Sequence, residues 1–384
     1  TVSVTASASD NVGVAGVQFR LDGANLGAED TTAPYSVSWD TTSATNGSHT
    51  LTAIARDAAG NKTTSAAVSV GVANKSAHPA ARTDFNGDGR ADILWRSTST
   101  GQEAIWLMNG ASVAGSGTFA TVSGTSWHIV GTGDFNGDGK ADILWRNVAT
   151  GANVIWLMNG AAIASAASIT PQTDLGWQVA GVADFNGDGK ADILWRNAST
   201  GQEAIWLMNG ASVAGSGTFA TVSDTSWHIV GTGDFNGDGK ADILWRNVST
   251  GANVIWLMNG AAIASAASIT PQTDLGWQVA GVADFNGDGK PDILWRNAST
   301  GVNAIWLMNG SAVASGANFS TVLASTGWAI AEVADFDGDG KADILWRNVS
   351  TGANVIWLMN GAAIANAVTT ATASLDWSVE PPAQ

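Results

Sequence analysis

The stretch Asp134–Arg146 reads DFNGDGKADILWR, and five further copies of this pattern determine how the rest of the chain is interpreted. In each copy, a short run of Asp, Asn and Gly is followed at once by an apolar run that ends in Trp and Arg. The first part is typical of a tight loop rich in side-chain oxygens, and the second is typical of a buried β-strand. The pattern therefore predicts a loop that leads directly into a strand.

The copies recur at nearly constant spacing. Their starting points are 50, 50, 50, 50 and 51 residues apart, at Asp84, Asp134, Asp184, Asp234, Asp284 and, as the variant DFDGDG, Asp335. Each copy continues through IWLMNG, an Ala- and Ser-rich segment and a Trp-x-(Ile/Val) segment. Each repeat thus reads as four short strands. Residues 84–183 and 184–283 are almost the same sequence, which indicates duplication of a two-repeat unit.

Six repeats of four strands predict an all-β fold, namely a six-bladed β-propeller with one sheet per blade. The first repeat lacks the Trp-x-Val segment before Asp84, and the chain ends with such a segment at Leu375–Val379. We expect this C-terminal strand to complete the first blade and close the ring. The alternative, an open solenoid, would leave a sheet edge unpaired at each end.

Residues 1–73 lack the Asp-rich pattern and are predicted to form a small β-sandwich. Alternating segments at Val14–Leu21, Tyr35–Trp39 and His49–Ala55 are separated by polar turns. The stretch GVAGVQFRLDG resembles the cysteine-free immunoglobulin-like domains of bacterial secreted enzymes and adhesins, in which a strand normally precedes the one beginning at Thr1. We expect residues 74–83 to be a linker, residues 84–384 to be the propeller, and the whole to be a segment of a larger secreted protein.

Composition argues against several classes of function. The net charge of −16 disfavours binding to nucleic-acid phosphates. No run of apolar residues is long enough for a transmembrane helix, so we expect no membrane insertion. The absence of Cys excludes disulfides and cysteine nucleophiles. Because no catalytic spacing of Ser, His and Asp is evident, we expect a binding protein without catalytic residues.

Each Asp-rich loop has the spacing of a calcium site. The pattern D-x-N-x-D-G-x-x-D places oxygens at alternate positions of a tight turn, which suits the about six to eight oxygen ligands of Ca²⁺ better than the small shell of Mg²⁺. Position 12 is Trp95 and not the Glu of an EF-hand, so the site belongs to a β-hairpin. The predicted ligands are Asp84, Asn86, Asp88, Asp92, Asp134, Asn136, Asp138, Asp142, Asp184, Asn186, Asp188, Asp192, Asp234, Asn236, Asp238, Asp242, Asp284, Asn286, Asp288, Asp292, Asp335, Asp337, Asp339 and Asp343.

The charge balance supports this assignment. The six loops hold 19 of the 33 acidic residues, and six calcium ions, one per blade, would bring the formal charge from −16 to about −4. Without a cation, the clustered carboxylates repel one another. We expect structural calcium, because each loop supplies its own ligands, and keep calcium that bridges to a ligand as the alternative.

The DFNGDGxxD loop followed by an apolar strand resembles the FG-GAP/VCBS-type repeats of integrin α-subunit propellers and of bacterial extracellular proteins. It is also similar to the propeller lectins of fungi and bacteria. The resemblance covers residues 84–379, and it implies calcium binding at the matching Asp and Asn positions and an extracellular or cell-surface location in a bacterium. Many relatives have seven blades, whereas six repeats are visible here.

Eighteen of the 19 Trp occur as three per repeat, and we expect at least one of the three sets to be core. A Trp at a recurrent surface position would stack on the apolar face of a sugar ring. The sequence therefore predicts a multivalent, lectin-like carbohydrate-binding protein; the alternative is a protein-binding or scaffold module of a larger adhesin or secreted enzyme. Candidate ligand contacts are Trp127, His128, Trp177, Gln178, Trp227, His228, Trp277, Gln278, Glu103 and Glu203.

Overall fold

The computed structural model describes residues 2–39, 41, 47–72 and 83–380. The chain divides into two compact units, Thr1–Ser76 and Ala77–Gln384. Within residues 83–380, the one helical segment is the 3-10 turn Ala324–Thr326, and no helix of the described residues is suited to crossing a membrane. Of the linker expected at residues 74–83, all but Thr83 lies outside the described residues.

The N-terminal unit consists of two antiparallel sheets. One pairs β1 (Val2–Ala6) with β4 (Tyr35–Trp39). In the other, β2 and β5 are central, and its strands are β2 (Val14–Leu21), β3 (Ala24–Asn25), β5 (Gly47–Asp57), β6 (Lys62–Thr64) and β7 (Val68–Val72). Val17 and Phe19 of one sheet share a small core with Tyr35 of the other. The arrangement is that of a small sandwich.

The second unit contains six four-stranded antiparallel sheets, which we number in chain order. Sheet 1 consists of β31 (Trp377–Val379), β8 (Ile93–Ser97), β9 (Gln102–Asn109) and β10 (Ser112–Thr121). Sheet 2 consists of β11 (Trp127–Gly133), β12 (Asp142–Asn147), β13 (Asn153–Met158) and β14 (Ile163–Ile169). Sheet 3 consists of β15 (Trp177–Ala183), β16 (Asp192–Asn197), β17 (Gln202–Met208) and β18 (Val213–Thr221).

The other three sheets repeat this order. Sheet 4 consists of β19 (Trp227–Gly233), β20 (Asp242–Asn247), β21 (Asn253–Met258) and β22 (Ile263–Ile269). Sheet 5 consists of β23 (Trp277–Ala283), β24 (Asp292–Asn297), β25 (Val302–Asn309) and β26 (Ala312–Thr321). Sheet 6 consists of β27 (Trp328–Ala334), β28 (Asp343–Asn348), β29 (Asn354–Asn360) and β30 (Ala363–Thr370). The all-β class and the repeated four-stranded sheet are confirmed.

The hydrophobic core lies between neighbouring sheets. Leu94 and Ile105 of sheet 1 pack with Ile143 and Trp145 of sheet 2. Consecutive residues of the DILW run, such as Ile143 and Leu144, are both fully buried, because each central strand has a sheet on both of its faces. This explains why the run is continuously apolar and does not alternate with polar residues.

Contacts between sheets follow the order of the chain and continue from sheet 6 to sheet 1. The first strands of sheets 2 to 6 contact one another in succession. Between sheets 1 and 2, the Ala141 N–H donates to the Asp84 carbonyl at 2.6 Å. The same bond joins sheets 6 and 1, where the Ala91 N–H donates to the Asp335 carbonyl at 2.7 Å. β31 pairs with β8, with Val379 opposite Trp95, so both ends of the unit contribute to sheet 1.

Candidate metal loops and ligand-binding surface

Each Asp-rich loop, here called an Asp loop, leads into the second strand of its sheet and winds around its first Asp; in sheets 2 to 6 it follows directly on the first strand. In sheet 2, Asp134 accepts the Gly137 N–H on Oδ1 at 2.6 Å and the Gly139 N–H on Oδ2 at 2.8 Å. Both glycines have positive φ values, 79° and 84°, which a residue with a Cβ adopts only with strain. The glycines of the motif are therefore required by the turn itself.

The Asp at position 9 of each loop has a structural role that the sequence did not reveal. Asp142 is fully buried, and its Oδ2 accepts the Phe135 N–H while its Oδ1 accepts the Met158 N–H, both at 2.9 Å. It thus fastens the loop to the third strand. Burial raises the pKa of Asp142 to about 7, and the charges of Asp138 and Asp134 raise it as well. A nearby cation would favour the ionised form.

The donor atoms of the loops fit calcium. In the sixth loop, carboxylate oxygens of Asp335, Asp337 and Asp343 lie within 4.8 Å of one another. Burial raises the pKa of Asp343 to about 8, and the charges of Asp337 and Asp335 raise it as well, so ionising all three carboxylates needs a balancing positive charge. An oxygen-only donor set of this charge suits a hard divalent cation. In the other five loops, Asn replaces Asp337 and offers a neutral amide oxygen.

The Asp loops also contact one another. A Cβ added to Gly137 would lie 3.5 Å from Cγ of Lys190 in the next loop, and one added to Gly338 would lie 3.2 Å from Cγ of Arg90 in the first loop. The side chain at position 7 therefore packs against the preceding loop. Ordering one loop by metal would consequently order the contact between two sheets.

The first Trp of each repeat is sealed between sheets and belongs to the core. Trp195 is fully buried, and the Cζ of Arg146, from the preceding sheet, lies 4.9 Å from its ring centroid. Such stacking of a guanidinium on an indole is a cation–π contact. The same contact, at 4.8–5.0 Å, recurs in the pairs Arg96–Trp145, Arg146–Trp195, Arg196–Trp245, Arg246–Trp295, Arg296–Trp346 and Arg347–Trp95.

Glu103 and Glu203 lie at these same interfaces, which corrects the prediction that they contact a ligand at the surface. Both side chains are fully buried. Glu103 Oε1 accepts from Arg96 Nη1 at 2.8 Å, and Glu203 pairs with Arg196 in the same way. Burial raises the pKa of Glu103 to about 8, although the Arg96 charge opposes this. The reason is register: residue 103 lies opposite Arg96 within the sheet, and not in a turn.

The other ligand candidates lie at the end of the sheets opposite the Asp loops, which we call the Trp end. Trp127 begins β11 and pairs with Asn147, the last residue of β12. The candidate Trp side chains are half-buried, and the polar side chain that follows each is exposed; the set is Trp127, His128, Trp177, Gln178, Trp227, His228, Trp277 and Gln278. The structure thus repeats a half-buried indole followed by an exposed polar side chain, which on a β-strand points to the opposite face of the sheet, and ligand contact at these positions stays a prediction.

Exposed aliphatic side chains also lie at the Trp end, and sequence analysis missed them. The N–H of Val148, in the turn after β12, donates to the carbonyl of Ser126 at 2.8 Å, next to Trp127. All exposed large apolar side chains among residues 83–380 occur in such turns and loops, with 46–63% exposure: Val148, Leu175, Val248, Leu275, Leu323, Val349 and Leu375. Apolar residues in otherwise polar turns were the signal in the sequence.

The repeated loops and strands match a known protein family. The model described as an FG-GAP-like repeat matches residues 84–145, 134–195, 184–245, 234–295 and 284–346, which together span more than half of the chain. The chain belongs to the FG-GAP-like repeat family. Each match in this FG-GAP-like protein runs from the first Asp of one loop to the buried Trp of the next repeat. The model described as a bacterial Ig domain matches residues 1–53, which confirms the predicted immunoglobulin-like domain.

Several solved structures resemble this FG-GAP-like protein at low identity. The nidogen/laminin complex has 10% identity and a TM-score of 0.49, and the match covers 75% of this chain and 95% of that chain. Apo AztD from Citrobacter koseri has 11% identity and a TM-score of 0.41, with coverage of 85% and 94%. Kluyveromyces lactis Hsv2 has 10% identity and a TM-score of 0.40, with coverage of 81% and 89%. Similarities of this size say nothing about function. No curated protein matches the chain.

Proposed function

We propose that the chain is an extracellular, calcium-stabilised propeller module that binds carbohydrates through several equivalent sites at its Trp end. The observation that carries this proposal is the repetition, in successive sheets, of a half-buried Trp followed by an exposed His or Gln. An indole face suits the apolar face of a pyranose, and the exposed His and Gln side chains at the same end of the sheets suit its hydroxyls. Equivalent sites would convert weak single-site affinity into avidity.

The proposal includes closure of the six sheets into a ring. Its support is the pairing of β31 with β8 and the backbone bonds that join sheet 6 to sheet 1 as they join sheet 1 to sheet 2. A ring fixes the Trp positions at set distances from one another, which is the condition for simultaneous engagement of one branched or surface-bound glycan.

Calcium in this proposal is structural, with one ion per Asp loop. The loops and the Trp end lie at opposite ends of β11 and β12, so the predicted metal ligands do not share a surface with the predicted sugar contacts. Calcium would therefore act on ligand binding through the order of the sheets. An extracellular location is consistent with the bacterial Ig domain and with millimolar calcium outside the cell.

A second candidate function, binding to a protein partner, is favoured by the exposed aliphatic side chains at the Trp end. Exposed apolar groups gathered on one face mark interaction surfaces more often than scattered ones do. In this alternative, Val148, Leu175 and their equivalents make the contact, and the module serves as a scaffold within an adhesin or secreted enzyme.

A glycan array probed in calcium separates the two. The test compares the quadruple variant Trp127→Ala, Trp177→Ala, Trp227→Ala, Trp277→Ala with the matched variant Val148→Ser, Leu175→Ser, Val248→Ser, Leu275→Ser. The carbohydrate proposal expects a defined glycan signal that the Trp variant loses and the Val/Leu variant keeps. A folded protein that gives no signal on the array would overturn it and leave the protein-binding candidate.

A further inference from the structure

A groove of about 490 Å³ lies beside sheet 1, where the connection from sheet 6 passes over it. The residues that line it include Trp95, Trp106, Trp377, Ser116, Thr118 and Ser374. The remaining lining residues are also uncharged. The volume is in the range of small-molecule sites, which runs from about 300 to 1,000 Å³.

Near this groove, sheet 6 differs from the other sheets at one position, Thr370, which lies two residues before the lining residue Thr372. In three sheets, a Phe from the preceding sheet packs edge-on against the second Trp at 6.2–6.3 Å, in the pairs Phe119–Trp156, Phe219–Trp256 and Phe319–Trp357. In two others, Ile169 and Ile269 share a core with Trp206 and Trp306. The corresponding residue before Trp106 is Thr370, which lies opposite Asn354 as Ile169 lies opposite Asn153.

Two further features distinguish the region around Thr370 from its equivalents in the other sheets. Thr370 is only 7% exposed, and its Oγ1 has no hydrogen-bond partner among the described residues. The segment between Gly361 and Trp377 has 15 residues, one fewer than the segment between Gly160 and Trp177. Trp106 packs against the core of sheets 6 and 1, but a smaller side chain and a shorter connection replace the Phe or Ile that contacts the equivalent Trp residues.

We propose that this groove binds one neutral pyranose ring, with its apolar face against Trp106. The hydroxyls of Ser116, Thr118 and Ser374 are donors and acceptors suited to sugar hydroxyls. The uncharged lining offers no ionic partner to uronic acids, phosphates or cationic ligands. The inference rests on the proposed carbohydrate-binding function but assigns a single site, separate from the repeated Trp127-type positions.

The test introduces beside Trp106 the side chain found at the equivalent position of other sheets, and removes that side chain beside Trp206. Thr370→Ile introduces the residue that already covers Trp206 and Trp306, so this variant is expected to fold and to melt no lower than the wild type. The matched control, Ile169→Thr, removes the cover of Trp206. Titration calorimetry would use a panel of soluble neutral hexasaccharides (cello-, manno-, xylo- and chito-series) with the full chain in calcium.

The proposal expects Thr370→Ile to weaken binding of a panel member at least tenfold and Ile169→Thr to add a binding site. If Thr370→Ile binds the oligosaccharide as tightly as the wild type and the quadruple Trp variant does not bind it, the groove is not the binding site. The proposed function then remains in place. Loss in Thr370→Ile with full binding in the quadruple Trp variant supports the groove and overturns the multivalent sites. No binding of any panel member by the wild type overturns the groove.

Discussion

The guanidinium carbon of Arg347, in sheet 6, lies 4.8 Å from the ring centroid of Trp95, in sheet 1. Arg347 also donates from Nη2 to the carbonyl of Trp377 at 2.8 Å, and Trp377 belongs to the C-terminal strand of sheet 1. One side chain thus contacts both chain segments that form sheet 1. The five Arg–Trp pairs between successive sheets have nearly the same geometry.

Replacement of Arg347 by Lys tests whether the contact of sheets 6 and 1 persists in solution. Lys lacks the planar fork that stacks on Trp95 while donating to several carbonyls. We expect Arg347→Lys to lower the free energy of unfolding by about 2 kcal/mol. Urea titration followed by Trp fluorescence reports on the repeats, which hold 18 of the 19 Trp.

The control for this prediction is Arg246→Lys, at the interface of sheets 4 and 5. Arg246 lies 4.9 Å from Trp295 and makes the same donations to carbonyls, including that of Trp277 at 3.0 Å. Equal losses for the two variants are the expected result. A loss for Arg246→Lys with none for Arg347→Lys would contradict a closed ring.

Chelation of calcium should lower the melting temperature of the repeats. Binding to the folded state alone adds about 2.7 kcal/mol at a free calcium concentration of 100 times Kd, and six sites act together. We expect EDTA to lower Tm by on the order of 10 °C, as measured by scanning calorimetry, and excess calcium to restore it. Magnesium at the same concentration should restore much less, because its shell accepts fewer protein oxygens.

Single-loop variants locate this effect. Asp335→Ala removes a carboxylate of the sixth loop, where three carboxylates converge, and should reduce the Tm difference between calcium and EDTA. The control Asp376→Ala removes a carboxylate that accepts from Ser97 Oγ at 2.6 Å, outside any Asp loop, and should leave that difference unchanged. An identical EDTA response in wild type and Asp335→Ala would remove the sixth loop from the set of calcium sites.

Glu332 should make stability depend on pH. Burial raises its pKa to about 8, and one oxygen accepts from Thr83 Oγ1 at 2.6 Å. Because this pKa is higher in the folded than in the unfolded state, the folded state holds the proton between about pH 4.5 and 8. Stability therefore falls as pH rises through that interval.

The variant Glu332→Gln stays neutral and keeps an oxygen for Thr83. Measured in saturating calcium, Tm of the wild type should fall more between pH 5 and 9 than Tm of Glu332→Gln, and the variant should be the more stable protein at pH 9. Gly occupies the corresponding position in sheets 2 to 5, and the other buried acids are the same in both proteins, so the difference between the two curves reports on Glu332. Parallel pH curves for the two proteins would refute this explanation.

Pro291 tests how much a backbone bond between sheets contributes. At the equivalent position, the Ala191 N–H donates to the Asp134 carbonyl at 2.7 Å, and Pro has no N–H to donate. Pro291→Ala should gain a hydrogen bond worth about 1 kcal/mol. It should also lose about 0.4–1 kcal/mol of stability, because Ala leaves the unfolded chain more conformational freedom than Pro does. The net change in unfolding free energy should thus be within about 1 kcal/mol.

The reverse exchange, Ala191→Pro, should cost about 1–3 kcal/mol, since Ala191 is buried and the larger ring must be accommodated as the bond is lost. Both variants are compared by urea unfolding under the same calcium concentration. A large gain for Pro291→Ala would mean that the bond between sheets is worth more than an ordinary backbone hydrogen bond.

The sequence alone determined the local structure of this protein. The segments Val14–Leu21 and Tyr35–Trp39 were predicted as strands and are β2 and β4 with the same bounds. The Asp, Asn and Gly spacing predicted the tight loops, and the DILW run predicted buried strands. These features depend on neighbouring residues in the chain, because turn geometry and the apolar content of a strand are local properties.

Only the tertiary structure decided what each repeated side chain contacts. Three Trp per repeat are equally apolar in sequence, yet only the first set is sealed, because its strand is covered by the Arg and core of the preceding sheet. Glu103 was predicted to face a ligand and instead pairs with Arg96. Thr370 is smaller than Ile169 at the equivalent position, and the residue affected by this difference is Trp106, more than 250 residues away in sequence. Contacts between sheets join residues that are distant along the chain, so no local pattern specifies them.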